Sequence, residues 1–238
     1  MSQTTKRIEK RRPNPAFPAS VDPVGTPQAV SDLRFCALLG QIGWAKLPPA
    51  VQARFSKRLL PGKSVSYAGN IVACRMTRAG WLFAQFARVI GAPLPLSRDT
   101  GIAAQVTVTE DGRSGGQVWT RMYARRLGFP QVIHSAKRFA GPTGLEEYLG
   151  CGFGIALTIA ADDCGIRFNS DHYFIALGGW RCQLPKWAGP GALQIDHDDL
   201  GGGAFAFTLS LRHRLLGELI HQEGHFHDQP QIHPGAVQ

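Results

Sequence analysis

The chain has 238 residues, of which 44% are hydrophobic and 18% are charged, with a net charge of +9. This is enough apolar material for a hydrophobic core, and the length suits one large all-β domain. The 28 glycines and 16 prolines favour a turn-rich β protein over an all-helical one, and the absence of an apolar run of roughly 18 residues excludes a membrane-spanning helix.

The first 30 residues predict a disordered leader in front of the folded domain. They contain five prolines and few apolar residues, and such a segment cannot bury enough surface to fold. They lack the apolar core of a signal peptide, so we expect a cytoplasmic protein. Basic residues could touch phosphates, but no aromatic residue lies among them, and no specific nucleic-acid partner is predicted. These basic residues are Lys6, Arg7, Lys10, Arg11 and Arg12.

The five cysteines form no CxxC pair, and an odd number cannot all form disulfides within one chain. We expect reduced, buried thiols, as is usual in the cytoplasm. The cysteines are Cys36, Cys74, Cys151, Cys164 and Cys182.

Three helices are predicted before the first hairpin. Apolar residues recur at helical spacing after Asp32, which indicates one short helix, and a second is predicted over 51–59 with Pro49 near its first turn. The third, at about 77–90, has Thr77 as its N-cap and Gly91 at its end. Because it is apolar nearly all round, we expect it to be buried or to lie against a sheet.

The clearest strand signal is a hairpin over 102–123. Apolar and polar residues alternate from Ile102 to Thr109, and a D-G-R-S-G-G turn follows at 111–116. The return strand has one apolar face and one face with two aromatic rings around a guanidinium. This second face consists of Trp119, Arg121 and Tyr123.

Six further strands are predicted after Pro130, separated by short turns. Two of them, 151–161 and 203–211, carry bulky residues on one face and small residues on the other. Small residues allow close approach, either of a ligand inside a barrel or of the third helix. The six strands are 131–139, 151–161, 165–176, 191–198, 203–211 and 216–227.

Together with a strand at 71–76, this order predicts a mainly β (α+β) fold. We expect an antiparallel β meander forming a barrel or half-barrel, with the two short N-terminal helices and one buried helix packed on it. The single domain is predicted over 31–228, followed by a tail at 229–238. A START-like helix-grip fold is the alternative, and it would need a long C-terminal helix.

A series of short motifs runs through the predicted domain. They are L-L-G-Q-I-G-W-A-K-L-P-P-A-V-Q-A-R-F at 38–55, W-T-R at 119–121, Ser135, L-E-E-Y-L-G at 145–150, G-I-R-F at 165–168, L-G-G at 177–179 and L-L-G-E-L-I-H-Q-E-G at 215–224. In this order they resemble the bacterial family catalogued as domain of unknown function 4166, over about residues 35–227. The resemblance implies no settled activity. Family members look like stand-alone proteins or appendages to oxidoreductase-like or membrane segments, which implies an oxidoreductase as a candidate partner.

The face formed by Trp119, Arg121 and Tyr123 is the candidate ligand site. The aromatic rings would bury the apolar part of a ligand, and the guanidinium would pair with a carboxylate or phosphate. Glu147 is added because it matches the family motif and lies close in sequence to the small-faced strand 151–161. The alternative is that Arg121 only forms an internal salt bridge with Glu147.

No cofactor or metal is predicted. The chain has no P-loop, no G-x-S-x-G, no H-E-x-x-H and no glycine-rich loop that opens a helix after a strand. His225 and His227 come closest to a metal site, since equal parity on a regular strand gives them one face. However, the side chains from His221 to His227 are spread over ~20 Å of strand at ~3.3 Å per residue, so they cannot all bind one ion. In addition, Gly224 could mark a bulge that changes the parity of the residues around it.

These features predict a non-enzymatic cytoplasmic module that binds a small, partly apolar, anionic molecule, which could be lipid-like. An enzyme that uses Glu147 as an acid or base in a barrel pocket is the first alternative. The second is an accessory domain that acts with an oxidoreductase.

Overall fold

A computed structural model of the protein describes residues 29–228, so the leader and tail predictions for 1–28 and 229–238 lie outside the described residues. Residues 29 and 30, which fall within the predicted leader, belong to a strand. This strand, β1 (Ala29–Ser31), pairs antiparallel with β2 (Lys57–Leu59). Residues 29 and 30 therefore belong to the folded part of the chain, although the predicted domain starts at residue 31.

Two short helices lie between β1 and β2, as predicted. Helix α1 (Arg34–Lys46) is interrupted at Gly40, where φ is 70° and ψ is 164°. Helix α2 (Pro49–Phe55) starts at a proline, whose fixed φ suits the first helical turn. It ends four residues before the predicted end because residues 57–59 form β2 instead.

Eleven strands form the main sheet, and ten of them close into an antiparallel barrel. The order around the barrel is β9-β11-β12-β13-β3-β4-β5-β6-β7-β8, and β8 pairs with β9 to close it. Strand β10 pairs with β9 outside this ring. The strands are β3 (Ser64–Met76), β4 (Ile102–Asp111), β5 (Gly116–Tyr123), β6 (Gln131–Arg138), β7 (Glu146–Gly150), β8 (Phe153–Ala161), β9 (Gly165–Leu177), β10 (Trp180–Gln183), β11 (Ala192–Gly201), β12 (Ala204–His213) and β13 (Gly217–Asp228).

The predicted mainly β barrel is thus confirmed, and the barrel is closed. The alternative helix-grip fold needs a long C-terminal helix, but residues 217–228 form a strand. Period-two alternation places the buried residues of β4 at positions 102, 104, 106 and 108. On β5 the face that carries Trp119, Arg121 and Tyr123 turns inward. Arg121 and Tyr123 are buried, whereas Met122 on the opposite face is 41% exposed. Strands β7 and β10 are additional to the predicted ones.

The third predicted helix forms as α3 (Arg78–Phe86), followed by a 3₁₀ turn at Ala87–Ile90, but it is not buried. Thr77 caps it, because its Oγ1 accepts a hydrogen bond from the Gly80 amide at 3.0 Å. The side chains of Leu82, Phe86 and Val89 are 51%, 69% and 79% exposed. The prediction that the helix is buried is therefore wrong, whereas the alternative that it lies against the sheet is confirmed by its contacts with β13 and β3.

The reason is the close approach of α3 to the barrel rim. A Cβ atom on Gly80 would overlap the carbonyl oxygen of Leu219 in β13. The fully buried positions of the segment are accordingly the small residues Gly80, Ala84 and Ala87. Larger apolar side chains do not fit on that face, so several of them point into solvent.

No helix among residues 29–228 has the length and apolar character needed to cross a membrane.

The two ends of the barrel differ. Helices α1 and α2 cover one end, called the α1/α2 end, where Phe35 packs edge-on against Phe55, Phe139 and Phe168. Helix α3 follows the last residue of β3 at the opposite end, called the α3 end. Because the strands are antiparallel, the β5–β6 loop, the β9–β10–β11 segment and the β12–β13 turn also lie at the α3 end.

Candidate functional site

A largely apolar cavity of about 160 Å³ lies inside the barrel at the α3 end. Its inner wall consists of side chains from β8, β9, β11 and β12, such as Ile155 and Leu211. Its outer wall combines α3 and the 3₁₀ turn with the segment between β10 and β11. The outer residues are Phe83, Ala87, Ile90, Leu184, Ala188 and Pro190.

Two charged residues line this cavity, Arg121 from β5 and Glu147 from β7. Arg121 Nη2 donates one hydrogen bond to Glu147 Oε1 at 3.1 Å and a second to Ser135 Oγ at 3.2 Å. Lys137 Nζ donates to Glu147 Oε2 at 2.8 Å. The internal salt bridge considered as the alternative for Arg121 therefore exists, and it is part of a larger cluster.

Strand geometry explains how these groups meet. Lys137 of β6 and Glu147 of β7 are directly opposite across the two strands, so their side chains leave the sheet on the same face. Strand β5 pairs with the other side of β6, where Trp119 is opposite Ser135. Inward-facing residues of three neighbouring strands thus form one charged cluster, which we call the Arg121–Glu147–Lys137 triad.

Burial and charge pull the pKa values of the triad in opposite directions. Burial alone would raise the pKa of Glu147, but Lys137 and Arg121 outweigh it and hold that pKa at about 2. Burial lowers the pKa of Lys137, and Glu147 opposes this effect. The side chains of Arg121, Lys137 and Glu147 are only 7%, 2% and 3% exposed.

The triad contains two cations and one carboxylate. In the described part of the chain, the ion pairs of Arg121 and Lys137 are both with Glu147. The Nε of Arg121 is buried and has no hydrogen-bond partner among the described residues. The triad, two members of which line the cavity, thus has a surplus of positive charge and an unused donor on Arg121, and both favour an anionic or acceptor group.

The other two predicted ligand residues lie elsewhere. Trp119 lines a second, smaller cavity of about 50 Å³ together with His197 and Phe205. Tyr123 is buried in an apolar cluster with Ile102 and Ile133, and it lines neither cavity. The structure therefore brings together Arg121 and Glu147 at one cavity, which neither of the two aromatic rings lines.

Sequence reasoning missed Lys137, which is central to the site. Its ammonium group lies 5.0 Å from the centre of the Trp119 ring and 5.3 Å from that of Phe168. The W-T-R, Ser135, L-E-E-Y-L-G and G-I-R-F motifs thus all contribute residues in or around the triad. The sequence pattern of β6 carried no signal for this, because the odd positions are all buried although only one of them, Ile133, is apolar.

The histidines of β13 face a different environment. His225 Nε2 is 2.8 Å from Glu223 Oε1, and His221 Nδ1 is 3.1 Å from Ser210 Oγ. The register of β13 against β3 shifts between Glu223 and Gly224, so Gly224 does adjoin a bulge. Within residues 29–228 there is no group of three or more His, Cys, Asp or Glu side chains that could hold a metal ion.

The cysteines are all free, but the expectation that they are buried is wrong for most of them. Cys36 is buried and Cys74 is half-buried, whereas the other three are exposed. The exposed thiols are Cys151, Cys164 and Cys182.

Comparison with known proteins identifies a family for the chain. A family model described as "Domain of unknown function (DUF4166)" matches residues 47–226. This region includes the three residues of the triad, Ser135 and every strand that builds the cavity. Neither the curated proteins nor the solved structures contain a match to the chain.

Proposed function

Because the chain belongs to the family of domain of unknown function DUF4166, whose description names no activity, we propose a function from the cavity itself. The protein is a non-enzymatic module that binds a small, partly apolar molecule with a carboxylate or phosphate group. The apolar part occupies the cavity at the α3 end, and the anionic group points towards Arg121.

The observation that carries this proposal is the unbalanced triad, two members of which, Arg121 and Glu147, line an apolar cavity. Apolar pockets with a few convergent polar groups are typical small-molecule sites. Here Arg121 borders the cavity with an Nε that lacks a partner among residues 29–228, and it shares the carboxylate of Glu147 with Lys137. An entering anion would balance the second cation.

The magnitude of this effect sets the expected selectivity. A hydrogen bond to a charged group contributes about 1.5–3 kcal/mol, which corresponds to at least about tenfold in affinity. The apolar wall adds affinity that depends on chain length but not on charge. We therefore expect a ligand series to separate the two contributions.

The enzymatic alternative has less physical support. A general base works best when its pKa lies near the operating pH. Glu147 has a pKa of about 2, and both of its oxygens accept hydrogen bonds from cations. Turnover that is abolished in Glu147→Gln, in a variant that still folds, would support an enzyme.

The cellular setting is also a proposal. We place the protein in the cytoplasm because all five cysteines are free and three are exposed, which suits a reducing compartment. An accessory role beside an oxidoreductase rests on family resemblance alone and stays a prediction.

The first experiment measures binding to matched pairs of ligands. The melting temperature of the protein is recorded with hexanoate, octanoate, decanoate and dodecanoate, and with the alcohols of the same chain lengths. We expect stabilisation that grows with chain length, and a preference of about tenfold for the carboxylate over the alcohol. Native mass spectrometry of freshly purified protein should show a co-purified small molecule that is lost on denaturation.

Two variants locate the site. Leu193→Trp would fill the cavity, whereas Ala192→Trp places the same side chain at an exposed neighbouring position on β11. Only Leu193→Trp should abolish binding. Arg121→Gln should remove the preference for the carboxylate while binding of the alcohol remains. Equal binding in both tryptophan variants, or no binding of any compound, would refute the proposal.

A further inference from the structure

The surface at the α3 end is unusually apolar. Of the 18 large hydrophobic side chains that are exposed among the described residues, 11 lie at this end, and they include all the exposed aromatic rings. Apolar surface concentrated in this way marks an interaction site in a natural protein. The residues are Trp81, Leu82, Phe86, Val89, Leu127, Phe129, Leu177, Trp180, Trp187, Leu215 and Leu216.

These side chains come from separate segments that the barrel topology brings to one rim. Helix α3 and its 3₁₀ turn supply four, and the β5–β6 loop supplies two. The β9–β10–β11 segment and the β12–β13 turn supply the rest. Phe129, Trp180 and Trp187 are 91%, 83% and 85% exposed, so they project from the surface rather than pack on it.

The same rim carries most of the positive charge. The segments 75–101, 124–130, 177–191 and 212–218 contain ten Arg and Lys residues against two carboxylates, a net charge of +8. The remaining described residues contain 11 basic and 13 acidic residues, a net charge of −2. The folded domain is therefore electrically polarised along the barrel axis.

Much of this charge is available to a partner. Glu218 is shared by Arg75 and Arg212, and Arg181 pairs with the buried Glu146. In contrast, four other exposed cations at this end form no ion pair with a carboxylate within residues 29–228. These four are Arg78, Arg125, Lys186 and Arg214.

We propose that the α3 end docks on the surface of a lipid bilayer that contains anionic phospholipid. Tryptophan and other amphipathic rings are favoured at the depth of the lipid headgroups, and neighbouring basic residues are attracted by the negative surface potential. Short loops that each project one or two apolar side chains can enter the headgroup layer independently. Charge complementarity therefore selects an anionic membrane as the partner.

Docking in this orientation turns the outer wall of the cavity towards the bilayer. Phe83 and Ile90, beside the exposed Leu82 and Val89, line the cavity, and so do Leu184 and Ala188, which flank Trp187 in sequence. An apolar molecule could then pass between membrane and cavity without crossing water. The docking itself does not depend on the proposed ligand binding.

The experiment is co-sedimentation of the full chain with vesicles. One set is pure phosphatidylcholine, and the other is an equimolar mixture of phosphatidylcholine and phosphatidylglycerol. We expect binding to the mixed vesicles that weakens with added salt, because the attraction is electrostatic. Little binding to the neutral vesicles is expected.

Matched variants test the surface. The double variant Phe129→Ser/Trp187→Ser should weaken binding to the mixed vesicles by about tenfold or more. The control Ile42→Ser/Leu200→Ser removes two exposed apolar side chains outside the α3 end. Likewise Arg125→Glu/Lys186→Glu should weaken binding by about tenfold or more, and Arg113→Glu at the β4–β5 turn should not. The basic residues of 1–14 are unchanged in every variant.

Several results would overturn the proposal. They are equal binding to both kinds of vesicle, equal effects of the α3-end variants and their controls, or binding to heparin and DNA but not to vesicles. A dimer that the α3-end substitutions dissociate, without any vesicle binding, would assign the surface to a second copy of the chain. Leu193→Trp should bind vesicles normally, so failure of ligand binding and failure of docking are distinguishable.

Discussion

At the scale of single residues, the members of the triad are not equivalent, because the one carboxylate of Glu147 pairs with two buried cations. Removing Glu147 would leave two buried cations close together without a counter-charge. Removing Lys137 would leave the balanced Arg121–Glu147 pair. The two substitutions therefore differ in kind, although they break the same hydrogen bond.

We expect Glu147→Gln to lower the free energy of unfolding by about 3–5 kcal/mol, the range for an uncompensated buried charge. Lys137→Met should cost clearly less, because methionine fills a similar volume and the remaining pair is neutral. Chemical denaturation of both variants at neutral pH measures the difference. If Lys137→Met were the more damaging substitution, the charge balance described for the triad would be wrong.

His197 is a buried histidine whose protonation should set part of the pH dependence. Burial and the nearby Arg54 lower its pKa from 6.5 to about 3, against a small opposing effect of Asp228. Its ring stacks on Phe205 with centroids 4.4 Å apart, and its Nδ1 is unpartnered among the described residues. The folded state therefore holds the neutral ring at pH values where the unfolded state is protonated.

The direction in which stability changes with pH follows from the linkage between protonation of His197 and unfolding. A depressed histidine pKa contributes stability that is complete above pH 6.5 and is lost as the pH falls towards 3. Between pH 7 and pH 5 we expect this group alone to cost about 2 kcal/mol. His197→Phe keeps the aromatic stacking and should remove that loss. Urea unfolding of both proteins at the two pH values tests this, and parallel losses would contradict it.

At the scale of elements, α3 shows how a strong apolar pattern can be misread. The helix contacts the barrel through Gly80 and two alanines, so its larger apolar residues line the cavity or point into solvent. The position of this helix relative to β13 thus shapes the outer wall of the cavity. A single methyl group at the contact should disturb it.

We expect Gly80→Ala to destabilise the protein by about 1–3 kcal/mol, because the new Cβ would overlap the backbone carbonyl of Leu219. Gly43→Ala in α1 is the matched control. Its Cβ would contact only Leu39, at 3.4 Å, so better helix propensity should make this change neutral or stabilising. Thermal unfolding measures both, and equal melting temperatures would show that α3 does not press on β13 as described.

At the scale of the whole molecule, the closed barrel separates two kinds of surface. The α1/α2 end is packed with interlocking phenylalanines and belongs to the part of the domain that carries a small negative charge. The α3 end combines exposed rings, a net charge of +8 and the outer wall of the cavity. This polarity is what makes an oriented role at a membrane physically reasonable.

Local patterns in the amino-acid sequence are enough to predict the class of fold and most of the strands. Alternation with period two is a local property of a half-buried strand, so the β4–β5 hairpin and the later strands could be predicted from their own residues. The short strands β7 and β10 have too few residues to show that period. The order of the motifs along the chain also identifies the family.

Which of these residues meet depends on the tertiary structure. Parity places Arg121, Lys137 and Glu147 on one face of their strands, but their contact depends on the register of three neighbouring strands. The exposure of α3, the position of Trp119 and Arg121 at different cavities and the gathering of charge at one rim likewise depend on barrel closure. Register and closure result from contacts between residues far apart in the chain, and a local pattern carries no information about such contacts.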